Sequence, residues 1–208
     1  MPTRPILVMV VADHALVRTA VTALVATAPD MAVYGDAVTV GEAERMAEAG
    51  DPDVVLIDLH LSYGTCIAAS RRIRNRRPDT QVILLTAACD ADAVFATILS
   101  GAAGYLPKQL RGVDLVGSIR TVASGRRLLD AHQVDVLLLG RNDAPLLALM
   151  AKGYTDQQLQ HELGVEAAVL EPLVGRLLDM AGPSPSPALA TAGEIKEPAL
   201  ERTGHASA

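Results

Sequence analysis

Aromatic side chains are scarce in this 208-residue chain, which has one phenylalanine, four tyrosines and no tryptophan. Proteins that bind single-stranded nucleic acid commonly stack its bases on aromatic side chains, so the composition argues against that class. Cysteine is scarce as well, because only Cys66 and Cys89 occur and their spacing forms no disulfide or metal-binding pattern. The two cysteines fit a protein of the reducing cytoplasm.

Long apolar runs and an excess of positive charge are also missing. The apolar run over residues 6–12 is too short for a signal sequence with its flanks or for a membrane span, so we expect no membrane partner. The net charge of −6 argues against a surface built as a whole for nucleic acid, although a local basic patch remains compatible with it. A chain of this length that is 50% hydrophobic can build a core without disulfides or structural metals.

The first 124 residues alternate short β-branched runs with longer helical patterns. The predicted strands are continuous apolar runs, which is typical of strands buried on both faces of a parallel sheet. They cover residues 6–11, 31–35, 54–58, 81–86 and 104–106. Helical patterns cover residues 15–28, 40–49, 65–77, 91–99 and 113–123. A strand–helix pair repeated five times predicts an α/β fold with a doubly wound, five-stranded parallel sheet.

The rest of the chain contains helical patterns and a low-complexity end. We predict a helical linker over residues 125–139 and a small all-α domain over 140–181, with helices at 142–152, 155–162 and 166–179. Residues 182–208 contain four prolines and few apolar residues, which predicts a disordered tail.

Polar side chains follow four of the predicted strands at the point where each strand ends. These residues are Asp13, Asp58, Thr86 and Lys108. A single aspartate at a strand end is usually a helix cap, but four such residues at strands that end on one edge of a sheet favour a common site. Two carboxylates suit Mg²⁺, and a carboxylate beside it can accept a phosphoryl group that a lysine and a hydroxyl hold in place.

The segments VADHALVR (11–18), DVVLIDLHLSYGTCIAASRRIRNRRP (53–78), VILLTA (82–87) and GAAGYLPK (101–108) carry a family resemblance. Residues 1–124 resemble the flavodoxin-like receiver domain of two-component response regulators. The whole chain resembles the NarL/FixJ group, whose second half is a LuxR-type helix-turn-helix. The resemblance implies a dimeric regulator of transcription that is not an enzyme and that takes its phosphoryl group from a histidine kinase.

The same resemblance assigns roles to individual residues. It makes Asp58 the phosphoryl acceptor, Lys108 its cationic partner, and Thr86 and Tyr105 the switch residues. It implies a Mg²⁺ site made by Asp13, by Asp58 and by the backbone carbonyl of His60. The family has two acids after the first strand, whereas this chain has Ala12 and Asp13, so we expect weaker Mg²⁺ binding and slower phosphoryl transfer.

The candidate DNA-reading helix lacks the side chains that contact DNA in most such domains. The positions that align with the family's reading face are Ala168, Glu171, Pro172 and Leu173. Residues 140–180 hold three basic and six acidic side chains, a net of −3. Lys152, Thr155 and Arg176 remain as candidate DNA contacts. Either the domain binds DNA weakly, or it has lost DNA binding and works as a phosphorylation-independent protein-interaction module.

Three further patterns receive a structural interpretation. The arginine run over residues 71–77 is expected to be a solvated helix face, and the five histidines show no metal-ligand spacing. Pro172 either kinks the last helix or starts a new one, splitting the helix in two.

Overall fold

A five-stranded parallel sheet forms the centre of the N-terminal half of the protein. The computed structural model describes residues 4–61, 63–108 and 114–180. The strands are β1 (Ile6–Val11), β2 (Met31–Ala37), β3 (Val54–Asp58), β4 (Gln81–Thr86) and β5 (Gly104–Pro107). Their order in the sheet is β2-β1-β3-β4-β5, and every pair is parallel. The predicted doubly wound α/β sheet is therefore confirmed. β2 runs beyond its predicted end at residue 35, and its register with β1 shifts between Val8 and Met9.

Helices cover both faces of this sheet. They are α1 (Ala15–Ala26), α2 (Val40–Ala49), α3 (Tyr63–Arg76), α4 (Ala91–Ser100) and α5 (Leu115–Ala123). Side chains cap the starts of α2, α4 and α5. Thr39, Asp90 and Asp114 accept hydrogen bonds from the amides of Glu42, Ala93 and Gly117 respectively. Gly101 ends α4 in the left-handed conformation, with φ of 66°, which glycine adopts at low cost.

The two faces of the sheet bury two separate apolar layers. Side chains of α1 and α5, including Val21, Val25 and Ile119, pack with Val54 and Leu56 of the central strand. The opposite side chains of β3 pack instead with α2, α3 and α4. All five residues of β3 are buried, as the continuous apolar run predicted.

Four more helices follow the sheet. They are α6 (Ala131–Leu138), α7 (Ala144–Ala151), α8 (Asp156–Leu163) and α9 (Ala167–Met180). Thr155 and Gln158 form a capping box at the start of α8, and Gly164, in the left-handed conformation, makes the tight turn before α9. Helix α9 runs unbroken through Pro172, so the alternative that this proline splits the helix is wrong. The predicted tail at 182–208 lies outside the described residues.

Helix α4 joins the two halves of the protein. It packs against α7, and α9 contacts α3, so the apolar layer beneath α4 continues from Phe95 and Leu99 into Leu147 and Met150. Every α4 residue from Ala93 to Ser100 is buried. The C-terminal helices (α6 to α9) therefore share one core with the sheet rather than building a separate one.

Three arginines lie at this junction, and we call Arg71, Arg74 and Arg127 the seam arginines. Arg71 and Arg74 are buried, and Arg127 is half-buried. Arg71 donates to the Leu99 carbonyl at 3.1 Å and Arg74 donates to the Gly101 carbonyl at 2.6 Å. Arg127 donates to the Ala102 carbonyl, and the Ser70 hydroxyl donates to the Ser100 carbonyl. Four consecutive carbonyls at the end of α4 thus receive side-chain donors.

One carboxylate faces the seam arginines from the C-terminal helices. Asp156, at the start of α8, forms an ion pair with Arg71 and also accepts a hydrogen bond from Asn75. Burial, together with repulsion from Arg74, lowers the pKa of Arg71 and of Arg127 to about 10.

The expectation that the arginine run is solvated is wrong for Arg71 and Arg74, which keep only 6% and 7% of their surface exposed. Both side chains turn towards α4 and satisfy its terminal carbonyls, which an exposed helix face could not do. The outer arginines in and directly after α3 pair with acids in and after α2. These pairs are Arg72 with Glu44, Arg76 with Glu48, and Arg77 with Asp51.

We expect Asp156→Asn to loosen the contact between the C-terminal helices and α3. The substitution leaves the buried guanidinium of Arg71 without its carboxylate. Removing one partner of a buried pair costs about 3–5 kcal/mol, and because Asp156 is 36% exposed we expect about 1–3 kcal/mol here. Hydrogen exchange of the α4 and α8 amides measures this loss of protection.

Asp179→Asn is the matched control, since Asp179 is an exposed acid of α9 and loses the same charge. Equal protection at α4 and α8 in both variants would contradict the role given to Asp156.

Candidate functional site

Asp58 and Lys108 meet at the edge of the sheet where the strands end. Asp58 is the last residue of the central strand and is completely buried. The Lys108 ammonium lies 2.7 Å from Asp58 Oδ1, and the His60 amide donates to the same oxygen at 2.7 Å. Asp58 Oδ2 is buried and has no hydrogen-bond partner among the residues that the structure describes. One carboxylate oxygen is thus held in place while the other is free to accept a new ligand or bond.

Asp13 brings a second carboxylate to Asp58. Asp13, His14 and Asp58 each offer one ligand atom, and these three atoms lie within 4.8 Å of one another. His14 Nδ1 lies 2.7 Å from Asp13 Oδ1, and this hydrogen bond holds the pKa of Asp13 below its usual value. Asp13 and His14 are exposed, whereas Asp58 lies at the bottom of the group.

The two predicted switch residues lie near this site but bond elsewhere. The Thr86 hydroxyl donates to the Ala88 carbonyl at 2.8 Å, while the Thr86 carbonyl accepts a hydrogen bond from the Lys108 amide. Tyr105 is half-buried, its hydroxyl donates to Gln133 Oε1 at 3.3 Å, and burial raises its pKa. Gln133 belongs to α6, so Tyr105 bonds directly to the first of the C-terminal helices.

Sequence reasoning missed two of these residues. The sequence shows no metal-ligand spacing among the histidines, but the structure places a ligand atom of His14 within 4.8 Å of ligand atoms of Asp13 and Asp58. Its place directly after Asp13 at a strand end was the available signal. Gln133 carried no such signal, because its contact with Tyr105 depends on how α6 folds back.

The candidate DNA contacts differ in their exposure. Lys152 and Arg176 are exposed. Thr155 is buried, and its side chain caps α8 through Gln158. The exposed face of α9 also carries Ala168, Glu171 and Pro172, so one basic side chain stands beside acidic and apolar ones there.

The arrangement can bind a cation or accept an electrophile at a free carboxylate oxygen. Two carboxylates and an imidazole face one point, and an ammonium neutralises the buried aspartate from the other side. In the part of the chain that the structure describes, no helix combines the length and apolar character needed to cross a bilayer.

Comparisons with known proteins agree with this geometry. The family described as the response regulator receiver domain matches residues 8–120. The transcriptional activator DevR/DosR of Mycobacterium tuberculosis is 30% identical over 190 residues, covering 84% of this chain and 88% of that protein. The regulatory protein LiaR of Bacillus subtilis is 27% identical, covering 82% and 88%.

Solved structures give the same result for the fold. The crystal structure of a LuxR-family two-component response regulator from an Aurantimonas species matches with a TM-score of 0.56 and 29% identity. The match covers 63% of this chain and 94% of that one.

We expect Lys108→Ala to destabilise the protein because it leaves the buried Asp58 carboxylate without a cation. Breaking a buried pair from one side costs about 3 kcal/mol. The double variant Asp58→Asn/Lys108→Ala removes the uncompensated charge and should recover most of that loss. Urea unfolding of the single and double variants measures both values.

Lys152→Ala, which removes an exposed lysine, is the control and should change the free energy of unfolding by less than about 0.5 kcal/mol. A double variant no more stable than Lys108→Ala alone would show that the pair is not a coupled unit.

Proposed function

The chain belongs to the response regulator receiver family, and from this premise we propose that Asp58 accepts a phosphoryl group from a histidine kinase to control transcription. The observation that carries the proposal is the state of the Asp58 carboxylate. One of its oxygens is held by Lys108 and the His60 amide, while the other is buried and unpartnered.

The proposed reaction uses that free oxygen as the nucleophile. Asp58 Oδ2 attacks the phosphorus of a phosphohistidine, a P–O bond forms, the P–N bond breaks, and the imidazole leaves with the electron pair. Lys108 lies beside the acceptor and stabilises the negative charge on the phosphoryl oxygens.

A divalent cation belongs to this proposal. The residues fit one, because ligand atoms of the Asp13 and Asp58 carboxylates lie within 4.8 Å of each other. Asp13, Asp58 and the His60 carbonyl would hold Mg²⁺, which supplies charge neutralisation for the transferring group. The second acid of the family pattern is replaced by Ala12, and we therefore expect slower transfer than the family norm.

Thr86 and Tyr105 couple the pocket to the C-terminal helices. A phosphoryl group on Asp58 offers an acceptor to the Thr86 hydroxyl, which now donates to the Ala88 carbonyl at 2.8 Å. The loop between β4 and α4 then shifts. The Tyr105 side chain breaks its hydrogen bond to Gln133 and moves to another position. The phosphorylated and unphosphorylated forms differ in the balance of these two states.

The proposed output is a cytoplasmic regulator that works as a homodimer and binds DNA weakly. The relatives are transcriptional regulators, which supports the role. Direct base contact is limited because Glu171 and Pro172 occupy the exposed face of α9 and only Lys152 and Arg176 remain as phosphate contacts. Ala12 favours a second candidate function, a protein-interaction module that works without phosphorylation.

We expect acetyl phosphate with Mg²⁺ to add one phosphoryl group to the protein and Asp58→Asn to abolish this addition. Intact-protein mass spectrometry measures the added mass. The control is Asp79→Asn, which alters an exposed acid and should keep the labelling.

Beryllofluoride, which mimics the phosphoryl group, should change the oligomeric state and the amide spectra of the protein. Amide spectra that beryllofluoride leaves unchanged would favour the second candidate function. In the acetyl phosphate experiment, equal labelling of Asp58→Asn and the unaltered protein would refute Asp58 as the phosphoryl acceptor.

We expect Glu171→Arg to strengthen binding to duplex DNA and to make it more salt-dependent. A new cation on the exposed face of α9 adds about one phosphate contact, so the slope of log affinity against log salt steepens by about 1. Fluorescence anisotropy over a salt series measures the slope. The control is Asp79→Arg, which makes the same charge change on the N-terminal half and should leave the slope of log affinity against log salt unchanged. Equal slopes for the two variants would show that α9 does not face the DNA.

A further inference from the structure

We propose that the groove between α6 and α7 binds a small amphipathic carboxylate, with its apolar body along the two helices and its head group on Arg127 and Lys152. The groove has a volume of about 270 Å³, close to the lower end of the usual range for pockets that hold small organic ligands. It shares no residue with the group around Asp58, so the inference goes beyond the proposed function.

The walls of the groove are mostly apolar. The uncharged lining residues come from the segment before α6, from α6 and from α7, and they are Leu129, Ala131, Val134, Leu138, Ala148 and Ala151. Leu129, Val134 and Leu138 are only partly buried against the core, so each keeps apolar surface in contact with solvent. An apolar ligand body would remove that surface from water, which is favourable.

The charged residues of the groove favour a ligand with one negative charge. Arg127, Lys152 and Asp135 line it, and two cations with one acid leave a net charge of +1. Lys152 is exposed and forms no ion pair with a described acid. A single carboxylate balances this charge, whereas an ammonium head group would be repelled and a phosphate dianion would exceed it.

Arg127 has donors that the protein does not use. A guanidinium carries five N–H groups, but within the described chain Arg127 makes one hydrogen bond, from Nη2 to the Ala102 carbonyl, and no ion pair. Its Nε is enclosed without a partner. Its Nη1 and that of Arg74 both lie against Gly153, where a Cβ would collide with Arg127 and lie 3.0 Å from Arg74. Two guanidinium groups thus meet at one point, and an anion would offset their repulsion.

The carboxylates near Arg127 do not supply that anion. Asp156 pairs with Arg71, and Asp135 lines the groove without forming an ion pair with Arg127. Burial and repulsion from Arg74 lower the pKa of Arg127 to about 10, which agrees with a missing counter-charge. Because Arg127 also donates to the Ala102 carbonyl after α4, a carboxylate bound here would fasten α6 and α7 to the end of α4.

Isothermal titration of the full chain with octanoate, octanol and octylammonium tests the head group, because the three probes share one apolar body. We expect octanoate to bind about tenfold or more tightly than octanol, since hydrogen bonds between two charged groups are the stronger ones. Octylammonium should bind most weakly. Hexanoate tests the body, and each methylene that it lacks should weaken binding by about fourfold relative to octanoate.

Two pairs of variants place the binding site. Arg127→Gln should weaken octanoate by about tenfold and leave octanol nearly unchanged, whereas Arg126→Gln, which alters the adjacent exposed arginine, should change neither affinity. Ala148→Phe fills the groove and should weaken both probes, whereas Ala144→Phe alters a half-buried alanine of α7 outside the groove and should weaken neither. Circular dichroism of each variant shows that it is folded.

The proposal is overturned if octanoate does not bind, if octanol binds as tightly as octanoate, or if octanoate binds the Ala148→Phe variant as well as the unaltered protein. Equal losses in Arg127→Gln and Arg126→Gln would also overturn it, because they would show a general effect of surface charge. Octanoate binding that needs both the arginine and the open groove supports it, whether or not Asp58 accepts a phosphoryl group.

Discussion

The burial of one carboxylate at the end of the central strand is the constraint on which the rest of the site depends. Asp58 follows four apolar residues of β3, so the strand that makes the core also carries the charge to the sheet edge. A fully buried carboxylate is unfavourable unless cations and donors surround it, and Lys108 and the His60 amide meet that need on one oxygen only. The remaining oxygen is the one that the proposed function uses as the nucleophile.

The parallel sheet explains why residues far apart in sequence share this pocket. Asp13 follows β1, Asp58 ends β3, Thr86 ends β4 and Lys108 follows β5, and all four strands point the same way. The β4–β5 edge is also where α4 and α6 lie, since Tyr105 bonds to Gln133. In the proposed function, a chemical change at the pocket would therefore reach the C-terminal helices through Tyr105 and Gln133.

Much of the fold and of the candidate site could be predicted from the sequence, because the strongest signals were local. The predicted strands at 6–11, 54–58 and 81–86 match the observed strands residue for residue. Short β-branched runs between turn residues favour a strand over any other regular structure. Helix ends differ by one or two residues, where a cap such as Thr27, bonding back to the Leu24 carbonyl, decides the last turn. The positions of Asp58 and Lys108 followed from the strand ends and the family resemblance together.

The remaining features depend on contacts between distant segments, which periodicity does not encode. Arg71 and Arg74 have the sequence pattern of a solvated helix, yet both are buried because the C-terminal helices cover them. Pro172 looks like a helix breaker, but it lies on the exposed side of a helix whose opposite side, with Leu170 and Val174, is held in the core. Four adjacent carbonyls at the end of α4 draw their donors from α3 and from the segment after α5, so this helix cannot slide gradually. Any displacement of α4 would break several of these hydrogen bonds at once, so a signal passed through α4 in the proposed function would behave as a threshold rather than a graded response.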